Sequence, residues 1–158
     1  MQAHFVIDSS YSAHAASFQF ISSRGKLFAN LKSQIDDQGN KRTALVVDDV
    51  MDVTEMLSVL LTHAGYAVVT AGSARAALDA ARAQHFDVII SDIGMPEMNG
   101  YDLARALRAL PDYKSVPLVA VTGYSMFDDR ERSLKSGFNA HMTKPIDPRA
   151  LLDLIDKL

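Results

Sequence analysis

Cysteine is absent from the chain, which excludes disulfides and thiolate metal sites outright. No apolar run approaches the roughly 20 residues that a membrane-spanning helix needs. The N-terminus lacks a charged segment leading into a long apolar one, so no secretory signal is expected and a cytoplasmic location is. Charge of one sign is also scarce. The net charge is −3, with +2 in residues 1–42 and −5 in the remainder. No basic stripe suited to a phosphate backbone is present, and direct nucleic-acid binding is not expected. Neither G-x-G-x-x-G nor G-x-x-x-x-G-K-[ST] follows any strand-like run, which disfavours a nucleotide-binding fold.

What is present is the composition of a globular protein: 158 residues, 48% hydrophobic and 22% charged, enough for one domain with a real core. Residues 1–42 stand apart from the rest. Apolar fragments there alternate with Ser, Ala and His without a sustained period, as in a leader. One short piece, Lys26 to Ile35, places Leu27, Phe28, Leu31 and Ile35 on one helical face and predicts a short helix. The polar stretch from Asp36 to Arg42 has the character of a linker.

From Thr43 to Leu158 the pattern is regular. Ala44–Val47, Tyr66–Ala71, Phe86–Asp92, Pro117–Val121 and Phe138–Thr143 are strand-like, and helical spacing fills the intervals between them. In the first helix Val53, Met56, Leu57, Leu60, Leu61 and Ala64 are expected to face inward, with Gly65 closing it. Ser73 is an expected N-cap, and Asp147-Pro148 is expected to start the last helix. The fourth helix, Met126 to Ser136, is expected to bury little beyond Phe127 and Leu134. Five βα units predict a doubly wound parallel α/β sheet with helices on both faces. The first, third and fourth strands are continuously apolar, as central strands are, whereas the fifth alternates. Edges at strands two and five fit the order 2-1-3-4-5, a common doubly wound arrangement.

In a parallel sheet the C-terminal ends of all strands share one edge. That edge receives Asp48 and Asp49 from the first strand, Asp92 from the third, Thr122 from the fourth and Lys144 after the fifth. Taken singly, each has a bland explanation: a helix cap, a turn residue, a solvated loop charge. Five such residues meeting by accident is a much weaker explanation. Three carboxylates repel one another unless a cation neutralises them. Aspartate oxygens without His or Cys nearby point to a hard metal, and an open site suits Mg²⁺. Lys144 adds a mobile positive charge for an incoming anion such as phosphoryl.

Asp48-Asp49, Asp92 followed by Met95-Pro96 and Gly100, Thr122-Gly123, and Lys144-Pro145 resemble the receiver domain of two-component response regulators, a flavodoxin-like fold. The resemblance covers Thr43 to Leu158. The run from Thr122-Gly123-Tyr124 through Gly137-Phe138 to Lys144-Pro145 is similar to receivers associated with hybrid sensor histidine kinases. The resemblance implies that Asp92 accepts a phosphoryl group from a phosphohistidine on a sensor kinase or histidine phosphotransfer protein. It implies Mg²⁺ held by Asp49, Asp92, the Gly94 carbonyl and, largely through water, Asp48. It further implies that Thr122 and Lys144 each hold a phosphoryl oxygen, and that Thr122 acts as the switch. The face made by the fourth helix, fifth strand and last helix would be the output surface, and a homodimer could form through it. His141 stands where the family usually has an aromatic that moves with the Thr. Gly94 and Tyr124 stand where the family tunes loss of phosphoryl to water. Neither is a strong base, so a slowly decaying phospho-form is expected. A cis Lys144–Pro145 bond is also expected.

The chain is thus expected to be a signalling domain that catalyses only its own phosphorylation and dephosphorylation. A Mg²⁺-dependent phosphohydrolase of the haloacid dehalogenase type is disfavoured, because it needs a second acid where Gly94 stands. An inert interaction module is disfavoured by the complete pocket. No output domain is expected within the chain. A stand-alone receiver and a receiver piece of a hybrid kinase both remain open.

Overall fold

The computed structural model describes residues 41–123 and 127–158, the side chains of 127–129 excepted. The helix expected over 26–35, Tyr124, and the burial expected of Phe127 all lie outside what is described.

Among the described residues the elements alternate strictly. They run β1 (Thr43–Val47), α1 (Met51–His63), β2 (Ala67–Ala71), α2 (Ala74–Ala83), β3 (Val88–Asp92), α3 (Gly100–Ala109), a 3-10 turn (Pro111–Tyr113), β4 (Leu118–Thr122), α4 (Phe127–Ser136), β5 (Ala140–Thr143) and α5 (Pro148–Ile155). The sheet is parallel throughout, in the order β2-β1-β3-β4-β5. The expected order therefore holds, and for the reason the apolar pattern implies. β3 and β4 are buried at every position and β1 at all but its first, whereas β2 and β5 are only partly covered.

Two cores result, one on each face of the sheet. Leu45, Ile89 and Leu118 pack with Ala77 of α2 and with Leu103 and Leu107 of α3. Val46, Ile90, Val119 and Val121 pack with Leu57 and Leu61 of α1 and with Leu151 and Ile155 of α5. Local chemistry sets the helix ends. Ser73 accepts a hydrogen bond from the Ala76 amide at 3.2 Å, Asn99 from that of Asp102, and Asp147 from those of Arg149 and Ala150. Gly65 follows the C-cap Ala64 with φ +93°, a left-handed conformation that favours glycine.

Two expected inward faces are corrected. In α1, Met56 is 46% exposed and Ala64 is exposed, while Thr54 is buried. The inward stripe is 54, 57 and 61, and a helix centred on Leu57 and Leu61 turns Met56 to solvent. Thr54 satisfies its hydroxyl on the Met51 carbonyl at 2.8 Å. In α4, Leu134 is 45% exposed, and the buried positions among its described side chains are Ser133 and Ser136. Their hydroxyls have partners in His141 and in the Arg132 carbonyl, so two polar groups are buried without being orphaned.

Candidate functional site

The sheet delivers all five expected residues to one edge. Asp48 and Asp49 follow β1, Asp92 and Thr122 end β3 and β4, and Lys144 follows β5. A cavity of about 270 Å³ opens there, lined by Asp49, Val50, Asp92, Gly94, Thr122, Gly123 and Lys144. The carboxylates of Asp48, Asp49 and Asp92 each place an oxygen within 4.8 Å of the other two.

Two of the bland explanations, the helix cap and the solvated loop charge, fail. The N-cap of α1 is Val50 with no side-chain cap, so neither acid after β1 serves as one. Asn99, not Asp92, caps α3. Lys144 is not a solvated loop charge, because its ammonium lies 2.7 Å from Asp48 Oδ2 and 2.9 Å from Asp92 Oδ1.

Asp48 is almost completely buried, and both of its oxygens are engaged. Oδ1 accepts from the Val50 amide at 2.9 Å and Oδ2 from Lys144. Asp92 is 6% exposed, whereas Asp49 reaches solvent. Burial alone would lower the Lys144 pKa. Its hydrogen bonds to Asp48 and Asp92, with the charges of both, outweigh burial and hold it above the ordinary lysine value. Lys144 therefore stays an ammonium at neutral pH. It is a cation within the acid cluster.

The loop after β3 is shaped around Asp92. Ile93 and Met95 are buried in the core, and the Gly100 amide donates to the Ile93 carbonyl at 2.9 Å. A Cβ on Gly100 would lie 2.4 Å from the Asp92 carbonyl oxygen, so the start of α3 lies directly on the backbone of that aspartate. A Cβ on Gly94 would meet Asp92 Oδ2 at 3.4 Å. The Lys144–Pro145 bond is cis, as expected, and the Lys144 amide donates to the Thr122 carbonyl at 2.7 Å.

The set of donors fits a hard cation. The cluster offers only carboxylate oxygens, one of them on an exposed side chain, and a glycine beside Asp92 leaves space next to its Oδ2. Thr122 is buried at the cavity wall. His141 lies outside the lining, and its Nδ1 stands 3.0 Å from the buried hydroxyl of Ser133 on α4. The sequence alone did not single out Ser133, or Gly100 as a contact on Asp92. Gly100 stood in the motif, but nothing local to Ser133 marked it.

A model of the response regulator receiver domain matches residues 44–156. The chain is 38% identical over 113 residues to a 14.6 kDa protein of the sodA1 3′ region of Leptolyngbya boryana, covering 72% of this chain and 86% of that one. It is similar in structure to the chemotaxis protein CheY4 of Vibrio cholerae, with a TM-score of 0.72, 34% identity, and coverage of 75% and 98%. It is also similar to the receiver domain of the sensor histidine kinase PA1611 from Pseudomonas aeruginosa PAO1, which carries a magnesium ion in its active-site cleft. There the TM-score is 0.69, the identity 27%, and the coverage 75% and 97%. The chain belongs to the response regulator receiver domain family. Receiver domains are signalling domains of two-component systems, and they interact with sensor histidine kinases or phosphotransfer proteins. Among the described residues no helix is long and apolar enough to cross a membrane.

Proposed function

We propose that this domain takes a phosphoryl group from a phosphohistidine onto Asp92 and relays the change through α4, β5 and α5. The observation that carries this is the placement of Asp92, nearly buried, with an ammonium at 2.9 Å and two further acids within reach of a shared cation. A carboxylate oxygen of Asp92 forms the new P–O bond as the donor's P–N bond breaks. Asp49, Asp92 and the Gly94 carbonyl would hold Mg²⁺, with Asp48 contributing largely through water. That ion supplies neutralisation of the charge that builds up in phosphoryl transfer. Lys144, already drawn to Asp92, turns its ammonium to a phosphoryl oxygen, and the Thr122 hydroxyl moves toward another as the switch. His141 then connects the fifth strand to α4 through Ser133, where the family's aromatic usually acts. The magnesium in the PA1611 cleft supports the same ion here.

The test is intact-mass measurement after incubation with acetyl phosphate. One phosphoryl group is expected with Mg²⁺ and none with EDTA. Magnesium alone is expected to raise the melting temperature, because an ion that binds only the folded state adds about 2.7 kcal/mol at a hundredfold excess over Kd. Asp49→Asn should abolish that rise, and a variant that kept it would remove Asp49 from the metal site. Gly94 offers no side chain to activate water, and Tyr124 is proposed to hinder its approach. Loss of the phosphoryl group in partner-free Mg²⁺ buffer should therefore take minutes or longer. Loss within seconds would overturn this.

Residues 43–158 are read as the receiver and 1–42 as a leader and linker. The domain is taken to be cytoplasmic and to act by docking other proteins rather than nucleic acid, with a homodimer through the α4-β5-α5 face as one arrangement. The likeness to the PA1611 receiver also supports a second reading, a receiver piece of a hybrid kinase.

A further inference from the structure

On α3, Tyr101, Arg105 and Arg108 lie along one stripe, and each meets α4 or the turn after it. The Arg132 guanidinium sits 4.4 Å from the centroid of the Tyr101 ring, and Arg105 donates to Ser136 Oγ at 3.3 Å. Arg108 is the most heavily engaged. Its Nε donates to the Gly137 carbonyl at 2.9 Å. Nη1 donates to the carbonyls of Tyr113 and Val116 at 2.6 and 2.7 Å, and Nη2 to Asn139 Oδ1 at 2.7 Å. That same Asn139 oxygen accepts from the Leu118 amide at 2.8 Å, and the Asn139 amide donates back to the Leu118 carbonyl at 2.8 Å.

One guanidinium thus joins the end of α3, the connection into β4, the turn after α4 and the approach to β5. No carboxylate among the described residues pairs with it, and all its acceptors are neutral oxygens. Burial lowers the Arg108 pKa from the ordinary arginine value, and hydrogen bonds from a charged donor are stronger than those from a neutral one. The backbone is built to admit it. Gly137 has φ +109°, and a Cβ there would lie 2.8 Å from Arg108 Cγ. A planar fork with several donors suits this many acceptors, which a point charge does not.

We infer that Arg108 is the fixed end of the α4–β5 element: it holds Gly137 and Asn139 against α3, so that α4 moves by pivoting about its C-terminal end. Among the described residues β5 is an edge strand paired with β4 alone, so a clamp at its start matters more than it would in a central strand. The Ser133–His141 contact lies about one helical turn from the pivot, so a rotation of α4 displaces Ser133 more than Gly137. The pinning stands on the contacts themselves. That α4 moves on signalling rests on the phospho-accepting reading of Asp92.

The experiment is amide hydrogen exchange by NMR on the full chain. In Arg108→Gln, the amides of Leu118, Gly137, Phe138 and Asn139 should exchange about tenfold faster, the worth of roughly one hydrogen bond, while Leu45 and Val46 in β1 keep their rates. Arg108→Lys should not restore protection, because an ammonium does not span these acceptors. Leu107→Ala, a core truncation on the same helix, should instead raise exchange in all strands together. If Arg108→Gln behaves like Leu107→Ala, or leaves the four amides unchanged, the fixed end is refuted. With acetyl phosphate and Mg²⁺ added, Ser133 and His141 should shift more than Gly137 and Asn139, and the reverse would overturn the pivot. Intact mass is read on the same sample. A chain without phosphoryl counts against Asp92 as acceptor, and the fixed end is then judged by the exchange rates.

Discussion

Asp92→Asn will abolish phosphoryl uptake from acetyl phosphate while leaving the domain folded. The amide oxygen can still accept from Lys144, and the side chain keeps its shape in a site where the acid is only 6% exposed. Only the negative charge and the nucleophilic lone pair are lost. An amide is a poor nucleophile toward phosphorus, so the rate should fall by on the order of a thousandfold or more, to no detectable adduct. Melting should be unchanged or slightly higher, because one of three mutually repelling acids has gone. Intact mass and thermal unfolding on the same preparation separate the two effects. A folded Asp92→Asn protein that still gains one phosphoryl group would place the acceptor elsewhere.

Gly100→Ala will be among the most destabilising single-methyl changes in the domain. The added Cβ would stand 2.4 Å from the Asp92 carbonyl oxygen and 2.8 Å from Ile93 Cα, and both neighbours are backbone. Backbone in a fully packed strand does not give way as the end of a side chain does, so overpacking here costs about 3 kcal/mol or more. For a domain of this size that lowers the melting temperature by about 10 °C. The change should also weaken acetyl phosphate labelling, since relief requires Asp92 or α3 to move. Gly72→Ala is the matched comparison. Nothing lies within 4 Å of the Cβ it would add, so its effect should stay within about 0.5 kcal/mol. Equal melting of the two variants would show that the close approach at Gly100 carries no energetic weight.

Much of the fold was legible in the order of residues. Continuous apolar runs at 44–47, 88–90 and 118–121 marked strands covered on both faces, and partial patterns marked β2 and β5 as edges. Ser73 and Asp147 announced their helices because a cap acts within two or three residues of its own position. The site was legible for a related reason. Once all strands are parallel, their C-terminal residues share an edge, and Asp48, Asp49, Asp92, Thr122 and Lys144 are simply the residues found there. Helix phase was less legible where apolar residues were sparse. α4 offers Leu134 as its obvious inward residue, yet it buries Ser133 and Ser136, because His141 and Arg105 supply partners that no local pattern reveals.

The sequence by itself determined the strand order, the helix caps and the identity of the residues at the C-terminal edge of the sheet, since each depends on burial pattern or on hydrogen bonds made a few residues away. Only the tertiary structure decided that Lys144 bridges Asp48 and Asp92, that Gly100 rests on the Asp92 backbone, and that Arg108 clamps the start of β5. Those contacts join residues 29 to 96 positions apart, or depend on distances of a few tenths of an ångström. Chain order carries no information at that precision until the sheet and its helices have closed around them.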